Sequence, residues 1–205
     1  MVSNSIDKKR GPGRPREFDP DQALDEAVEL FWTFGLEGVD VQRIARAVGV
    51  TKPSLYRLFG DKSQLFLRAM KRYSETIGVK PYVAFAAEPD IRKALQALIE
   101  TAVRTATAEG RPRGCLVACV AAAQAGQSEE IRLAIQRTLA TVADIVAHRF
   151  EQEIKCGALP ATTSAQARGR LVVDTLQGLL LRARAGASQK ELLDDAQSFV
   201  ELLLR

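Results

Sequence analysis

Apolar residues recur three and four positions apart along nearly the whole of this 205-residue chain, and most of these runs begin at a capping residue and stop at glycine or proline. That pattern restricts the chain to helices, because a strand buries every second residue and such alternation is nearly absent. Asp19-Pro20, with Gln22 in the capping-box place, predicts a helix to about Phe34 before Gly35, with Leu24, Ala27, Val28, Phe31 and Phe34 as its apolar stripe. Short helices are expected over 41–48 after Asp40 and over 52–59 after Thr51. Asp61 with Gln64 opens a further helix ending near Gly78. Lys80-Pro81 breaks the pattern. Helices are then expected over 89–108, 128–155 behind Ser128, 164–186, and from the Ser188/Glu191 capping box to the end, with an apolar segment over 115–125 between them. The fold class expected is all-α.

The longest uninterrupted apolar stretch, Leu116 to Ala123, is far shorter than the roughly 20 residues that cross a bilayer. No membrane span is expected. The first residues are basic but have no apolar run behind them, so a secretory signal is not expected and the expected location is cytoplasmic. Three cysteines, at 115, 119 and 156, argue against a disulfide framework.

The formal net charge of +4 is unevenly distributed. By count of Lys and Arg against Asp and Glu, residues 1–16 carry +4, 17–39 carry −7, 40–72 carry +6 and 73–205 carry only +1. The basic charge sits in two patches near one end, which points to a polyanionic partner met by that end.

The stretch VQRIARAVGVTKPSLYRLFG, residues 41–60, reads as a helix-turn-helix. Val41, Ile44, Ala45 and Val48 face inward, and the small Ala45 lets two helices approach. Gly49 makes the turn and Val50 fills the corner. Leu55, Leu58 and Phe59 are expected to bury one side of the second helix, leaving Lys52, Pro53, Ser54, Tyr56 and Arg57 outside. Such a set suits the major groove of a duplex: the first turn approaches base edges, while a phenol and a guanidinium one turn on reach phosphate or guanine. Thr51 offers its hydroxyl beside the helix N-terminus. Lys62 and Arg43 extend the candidate DNA-binding set. In the tail, Gly13-Arg14-Pro15-Arg16 is held extended by proline, and Arg14 and Arg16 suit a narrow minor groove.

At these residues the chain resembles the TetR family of bacterial transcription regulators. The resemblance is carried by Leu30-Phe31-Trp32-Thr33-Phe34-Gly35, Ile44 through Lys52, Leu55-Tyr56-Arg57-Leu58-Phe59, Lys62 and Leu65-Phe66. It covers about 50 residues between Asp19 and Phe66. Pro53, where the family usually has a small residue, and Ser54, where it often has Thr, depart from the pattern. The resemblance implies a three-helix N-terminal helix-turn-helix domain followed by a larger helical effector-binding and dimerisation domain. The corresponding division is a basic arm over 1–18, a DNA-binding domain over 19–66 and a ligand-binding and dimerisation domain over 67–205. It also implies a homodimer, mostly a repressor, on an inverted-repeat double-stranded DNA operator. Under that resemblance the last two helices form the dimer interface, through Leu176, Gly178, Leu179, Leu180, Leu192, Ala196, Phe199, Val200 and Leu203. An unidentified small-molecule effector, apolar because polar residues are scarce there, would meet Arg104, Cys119, Gln124, His148 and Thr175.

Other chemistry is poorly supported. Cys115 and Cys119 share a face if helical, and with His148 or Cys156 they offer a metal or redox alternative, but the spacing matches no metal motif and small buried thiols are the plainer reading. His148 is the only histidine, without a nucleophile motif. Gly11-Pro12-Gly13-Arg14 has no strand before it, so it is not a phosphate loop. No enzyme, cofactor or metal is expected. An activator, or an all-helical interaction protein with a basic binding end, remains as an alternative.

Overall fold

The computed structural model describes residues 19–204, all of whose regular elements are helical. The order is α1 (Pro20–Gly38), α2 (Val41–Ala47), α3 (Lys52–Phe59), α4 (Lys62–Tyr73), α5 (Lys80–Ala87), α6 (Ile91–Ala106), α7 (Glu129–Lys155), α8 (Ala165–Arg184) and α9 (Gln189–Leu203). π-helical turns span Ser74–Gly78 and Leu116–Ala121. None of the described helices is long and apolar enough to cross a membrane.

The helix starts follow from capping chemistry. Asp19, Asp40, Thr51, Asp61, Asp90, Ser128, Ser164 and Ser188 each accept a backbone N–H of the helix that follows, which satisfies donors that have no partner inside the helix. The regular part of α1 breaks at Gly35 (φ 74°, ψ 174°), after which only a short turn continues. Lys80-Pro81 does not interrupt the helical run as expected but starts α5. Pro81 stands in the first turn, where its missing N–H costs no helical bond.

Phe31, Trp32, Leu55, Leu65 and Phe66 form the core of the first four helices, with Phe31 and Phe66 edge to face at 5.1 Å. This core does not close on itself. Leu116, Val120 and Ala121 of the second π-helical turn, and Ile131 of α7, belong to the same buried cluster. The division expected after residue 66 therefore falls inside α4, over a core that spans it. Phe34 and Leu58, expected to be inward, are 48% and 46% exposed. Helical spacing marked them as apolar-stripe positions, but neighbouring Leu30, Trp32, Leu36 and Phe59 fill the space available.

A second core joins α5 to α9 around Leu95, Leu98, Phe150, Val172, Leu192 and Val200. The expected dimer residues Leu176, Leu179, Leu192, Ala196, Val200 and Leu203 are buried in the subunit itself, with Leu180 and Phe199 partly buried against them. A helical stripe reveals that a face is covered, not by which chain, and here α6 and α7 supply the cover. The outward apolar residues are Leu171 (50% exposed) and Leu181 (57%) on α8 and Leu202 (64%) on α9, with Gly178 exposed in open space between the first two.

Candidate nucleic-acid interface and cavity

In α2, Asp40 caps the first turn and Val41, Ile44 and Ala45 are buried, so the helix lies flat on its neighbours with Arg43 and Arg46 outside. Gly49 then reverses the chain with φ 74°, and Val50 donates its N–H to the Ala45 carbonyl at 2.9 Å. A left-handed residue is needed at this point, and glycine adopts it without the penalty a Cβ brings.

α3 follows directly. The Thr51 side-chain oxygen accepts the Ser54 N–H at 3.3 Å and shares a 2.9 Å hydrogen bond with the Ser54 hydroxyl. Leu55 and Phe59 bury one side. Thr51, Pro53 and Arg57 are exposed, while Lys52, Ser54 and Tyr56 are half-buried. The Lys52 ammonium lies 5.4 Å from the Tyr56 ring centroid, and that ring packs partly on the core instead of standing clear of it. The Arg43 guanidinium stacks 5.0 Å from the ring of Phe34, which gives that exposed phenylalanine a role in holding a cation at the surface. Lys62 donates to the Glu37 carbonyl at 3.2 Å, fixing its charge at the start of α4. No carboxylate occurs between Val41 and Gly60. The face thus presents cations, hydroxyls and a phenol on a rigid, short helix, which is the chemistry a nucleic-acid groove requires. Arg14 and Arg16 lie outside the described residues.

Behind this head is a cavity of about 420 Å³. Its walls come from the end of α4, the first π-helical turn and the start of α5 (Tyr73, Ile77, Tyr82), from α6 (Ala102, Thr105), from Gly114, Cys115 and Val117, from α7 (Thr138, Val142, Ile145) and from α8 (Leu176, Gln177, Leu180). The exposed Glu75, Val79, Arg137 and Thr141 stand where it meets the surface. Burial pushes the Tyr73 and Tyr82 hydroxyls and the Cys115 thiol above their ordinary pKa values, which favours the neutral form of all three.

The effector residues expected from the sequence lie elsewhere. Arg104 and His148 face solvent, Arg104 beside Glu100 and His148 beside Glu151. Gln124 and Thr175 are half-buried, and neither lines the cavity. Cys119 does not line it either: its thiol lies 3.6 Å from the Leu180 carbonyl, which it faces as a donor. Cys115 is the cysteine in the wall. It precedes the π-helical turn in an extended conformation, so the two thiols do not share a helical face. No group of three metal-ligating side chains occurs among the described residues. The cavity is assembled from segments remote in sequence, which polarity inside a single apolar segment does not reveal.

Hydrogen bonds and packing connect the cavity wall to the end of α1. Arg184 of α8 donates to the carbonyls of Trp32 (3.0 Å), Arg113 (3.2 Å) and Thr33 (3.4 Å). Arg113 in turn donates to the carbonyls of Ala183 and Ala187. Gly114, in the cavity wall, has φ 81°, and a Cβ there would stand 2.9 Å from Arg184, Cys119 and the Leu180 carbonyl. Tyr73, also in the wall, packs edge to face on Trp32 at 5.0 Å.

Known proteins resemble this chain over nearly its whole length. Residues 23–69 match the family model of bacterial regulatory proteins, tetR family, and residues 92–198 match the C-terminal domain of LmrA/YxaF-like transcriptional regulators. The HTH-type transcriptional repressor ComR of Escherichia coli K12 is 27% identical over 95% of this chain and 93% of its own. The repressor BdcR of the same organism is 28% identical over 92% and 98%. Among solved structures, a cysteine-substituted form of the TetR family transcriptional regulator CifR, complexed with 26-base-pair double-strand operator DNA, superposes with a TM-score of 0.82. It is 29% identical and the match covers 92% of this chain and 98% of that one. With both family models matched in order and the C-terminal one spanning more than half the chain, this protein belongs to the TetR family of DNA-binding transcriptional regulators.

Proposed function

We propose that the protein is a homodimeric repressor that grips an inverted-repeat operator and is released when a small apolar molecule fills the cavity. The observation that carries this reading is α3: a capped, acid-free helix whose exposed side offers Thr51, Pro53 and Arg57, flanked by Lys52, Ser54 and Tyr56. Residues 19–66 act as the reading head and 67–205 as the sensing and pairing body. Arg14 and Arg16 reach into the minor groove beside the site. Arg43 and Lys62 hold the DNA backbone on either side of α3. The names of ComR and BdcR favour repression over activation. A DNA target also favours a cytoplasmic location.

Pairing uses the outward residues Leu171, Gly178, Leu181 and Leu202, since a palindrome needs two recognition helices about 34 Å apart. A ligand in the cavity presses on Tyr73 and on the Gly114–Cys115 wall. Through Trp32 and Arg184, that pressure reaches the end of α1 and shifts the spacing of the two α3 helices. Differential affinity of the ligand for the two spacings supplies the switch.

Selection of duplex DNA from random sequence by the purified protein, with non-specific competitor at near-physiological salt, tests the reading. An inverted repeat with half-sites one helical turn apart is expected. Retention of DNA without any enriched sequence would overturn operator binding in favour of a general polyanion-binding role.

A further inference from the structure

The cavity wall contains a buried acceptor that the protein leaves without a donor. The Gln177 side-chain oxygen, on α8, is buried with no hydrogen-bond partner. The aliphatic hydroxyls of the lining are already committed: Ser74 donates to Met70, Thr105 to Thr101, Thr138 to Ala134 and Thr141 to Arg137, each to the carbonyl one turn back. None of these donors turns toward Gln177. A buried acceptor without a donor is destabilising, so the site gains from any occupant that brings one. The last torsion of a glutamine side chain is soft, and rotation presents either end of the amide to the cavity. A hydroxyl both donates and accepts, so it satisfies either orientation.

The rest of the wall sets the remainder of the ligand. Ile77, Ala102, Val117, Val142, Leu176 and Leu180 offer only hydrocarbon. The charged lining residues, Glu75 and Arg137, are both exposed ones at the surface edge. An ionised ligand would lose its hydration without finding an opposite charge inside.

Resting on the reading of this cavity as the effector site, we propose that its ligand class is an uncharged, largely apolar molecule bearing a hydroxyl that hydrogen-bonds the Gln177 amide. Gln177 is then the residue that selects among apolar compounds of similar shape.

Calorimetric titration of the full-length protein with para-propylphenol, its methyl isostere para-propyltoluene and the anion para-propylbenzoate tests this. The phenol is expected to bind roughly five- to tenfold more tightly than the toluene, the value of one net hydrogen bond, and the benzoate more weakly than either. In Gln177→Leu the preference for the phenol should vanish while the toluene binds as well or better, which also shows that the variant is folded. An unchanged phenol preference in Gln177→Leu, or tightest binding of the benzoate, would overturn the assignment of Gln177 while leaving the cavity as a ligand site. Failure of all three probes to bind the wild-type protein would overturn the effector-site reading itself.

Discussion

Arg184 donates to the main-chain carbonyl of Trp32 at 3.0 Å, tying the last turn of α8 to the last regular turn of α1. Carbonyls at a helix C-terminus have no partner within the helix, and α1 breaks at Gly35, so the guanidinium is what satisfies Trp32 and Thr33. Arg184→Met keeps the side-chain stem but removes three carbonyl partners. It is expected to cost about 1–3 kcal/mol in urea unfolding, and to blunt the loss of operator affinity on ligand addition. Arg184→Lys should recover only part, because one ammonium lacks the planar fork that spans several acceptors.

Arg57 is exposed on α3 and contributes nothing to the core. Arg57→Ala is expected to leave thermal unfolding unchanged and to weaken DNA binding by about 1–3 kcal/mol. If it contacts phosphate, the salt dependence of binding falls by about one unit and all sequences suffer alike. If it contacts a base, discrimination at one operator position relaxes instead. Competition titrations at several salt concentrations separate the two.

Gly49 and Gly114 both have positive φ, yet their surroundings differ. A Cβ at Gly49 meets nothing within 4 Å, so Gly49→Ala should cost only the backbone penalty of about 1–2 kcal/mol. At Gly114 the same Cβ would stand 2.9 Å from a carbonyl and two side chains. Gly114→Ala is therefore expected to be clearly the more destabilising of the two, as measured by unfolding midpoints.

Cys156 is exposed and Cys115 is buried, its thiol pushed up by loss of solvent. The thiolate is the reactive form, so a disulfide reagent at mildly alkaline pH should modify Cys156 well before Cys115. Cys156→Ser should remove the fastest phase. Because folding favours the protonated Cys115 thiol, its contribution to stability is complete below the ordinary thiol range. That contribution declines as pH rises through and beyond the range. Cys115→Ala should accordingly reduce the alkaline loss of stability in unfolding measured across that range.

Leu181 and Leu171 are among the largest outward apolar side chains of α8. Leu181→Glu places a charge in the proposed pairing surface. Sedimentation should show a shift from dimer to monomer, with a parallel loss of operator binding and little change in helix content. A dimer unaffected by both Leu181→Glu and Leu171→Glu would mean pairing through another face.

Local chemistry was the legible part of this fold. Asp40, Thr51, Asp61 and Ser188 cap helices where their side chains and spacing predict, and α3 spans Lys52–Phe59 as expected. What failed depended on long-range packing. Phe34 has the spacing of a core residue, but Arg43 meets it at the surface. Pro81 reads as a breaker in the sequence, because only the turn before it shows that it stands in a first turn. The cavity residues Tyr73, Tyr82, Cys115 and Gln177 lie on four separate segments, and no period links them. Arg113 and Gly114, between α6 and the second π-helical turn, contact Arg184 at the joint between the cavity and α1.

Trp32 is the chain's single tryptophan, fully buried, with its indole nitrogen unpartnered. It touches Tyr73, which forms part of the cavity wall, and its own carbonyl is held by Arg184. Indole emission is sensitive to local polarity and to small displacements of neighbouring groups. The molecule therefore carries a built-in optical gauge at the junction of its two halves, and its ultraviolet fluorescence can follow occupancy of the cavity in unlabelled protein.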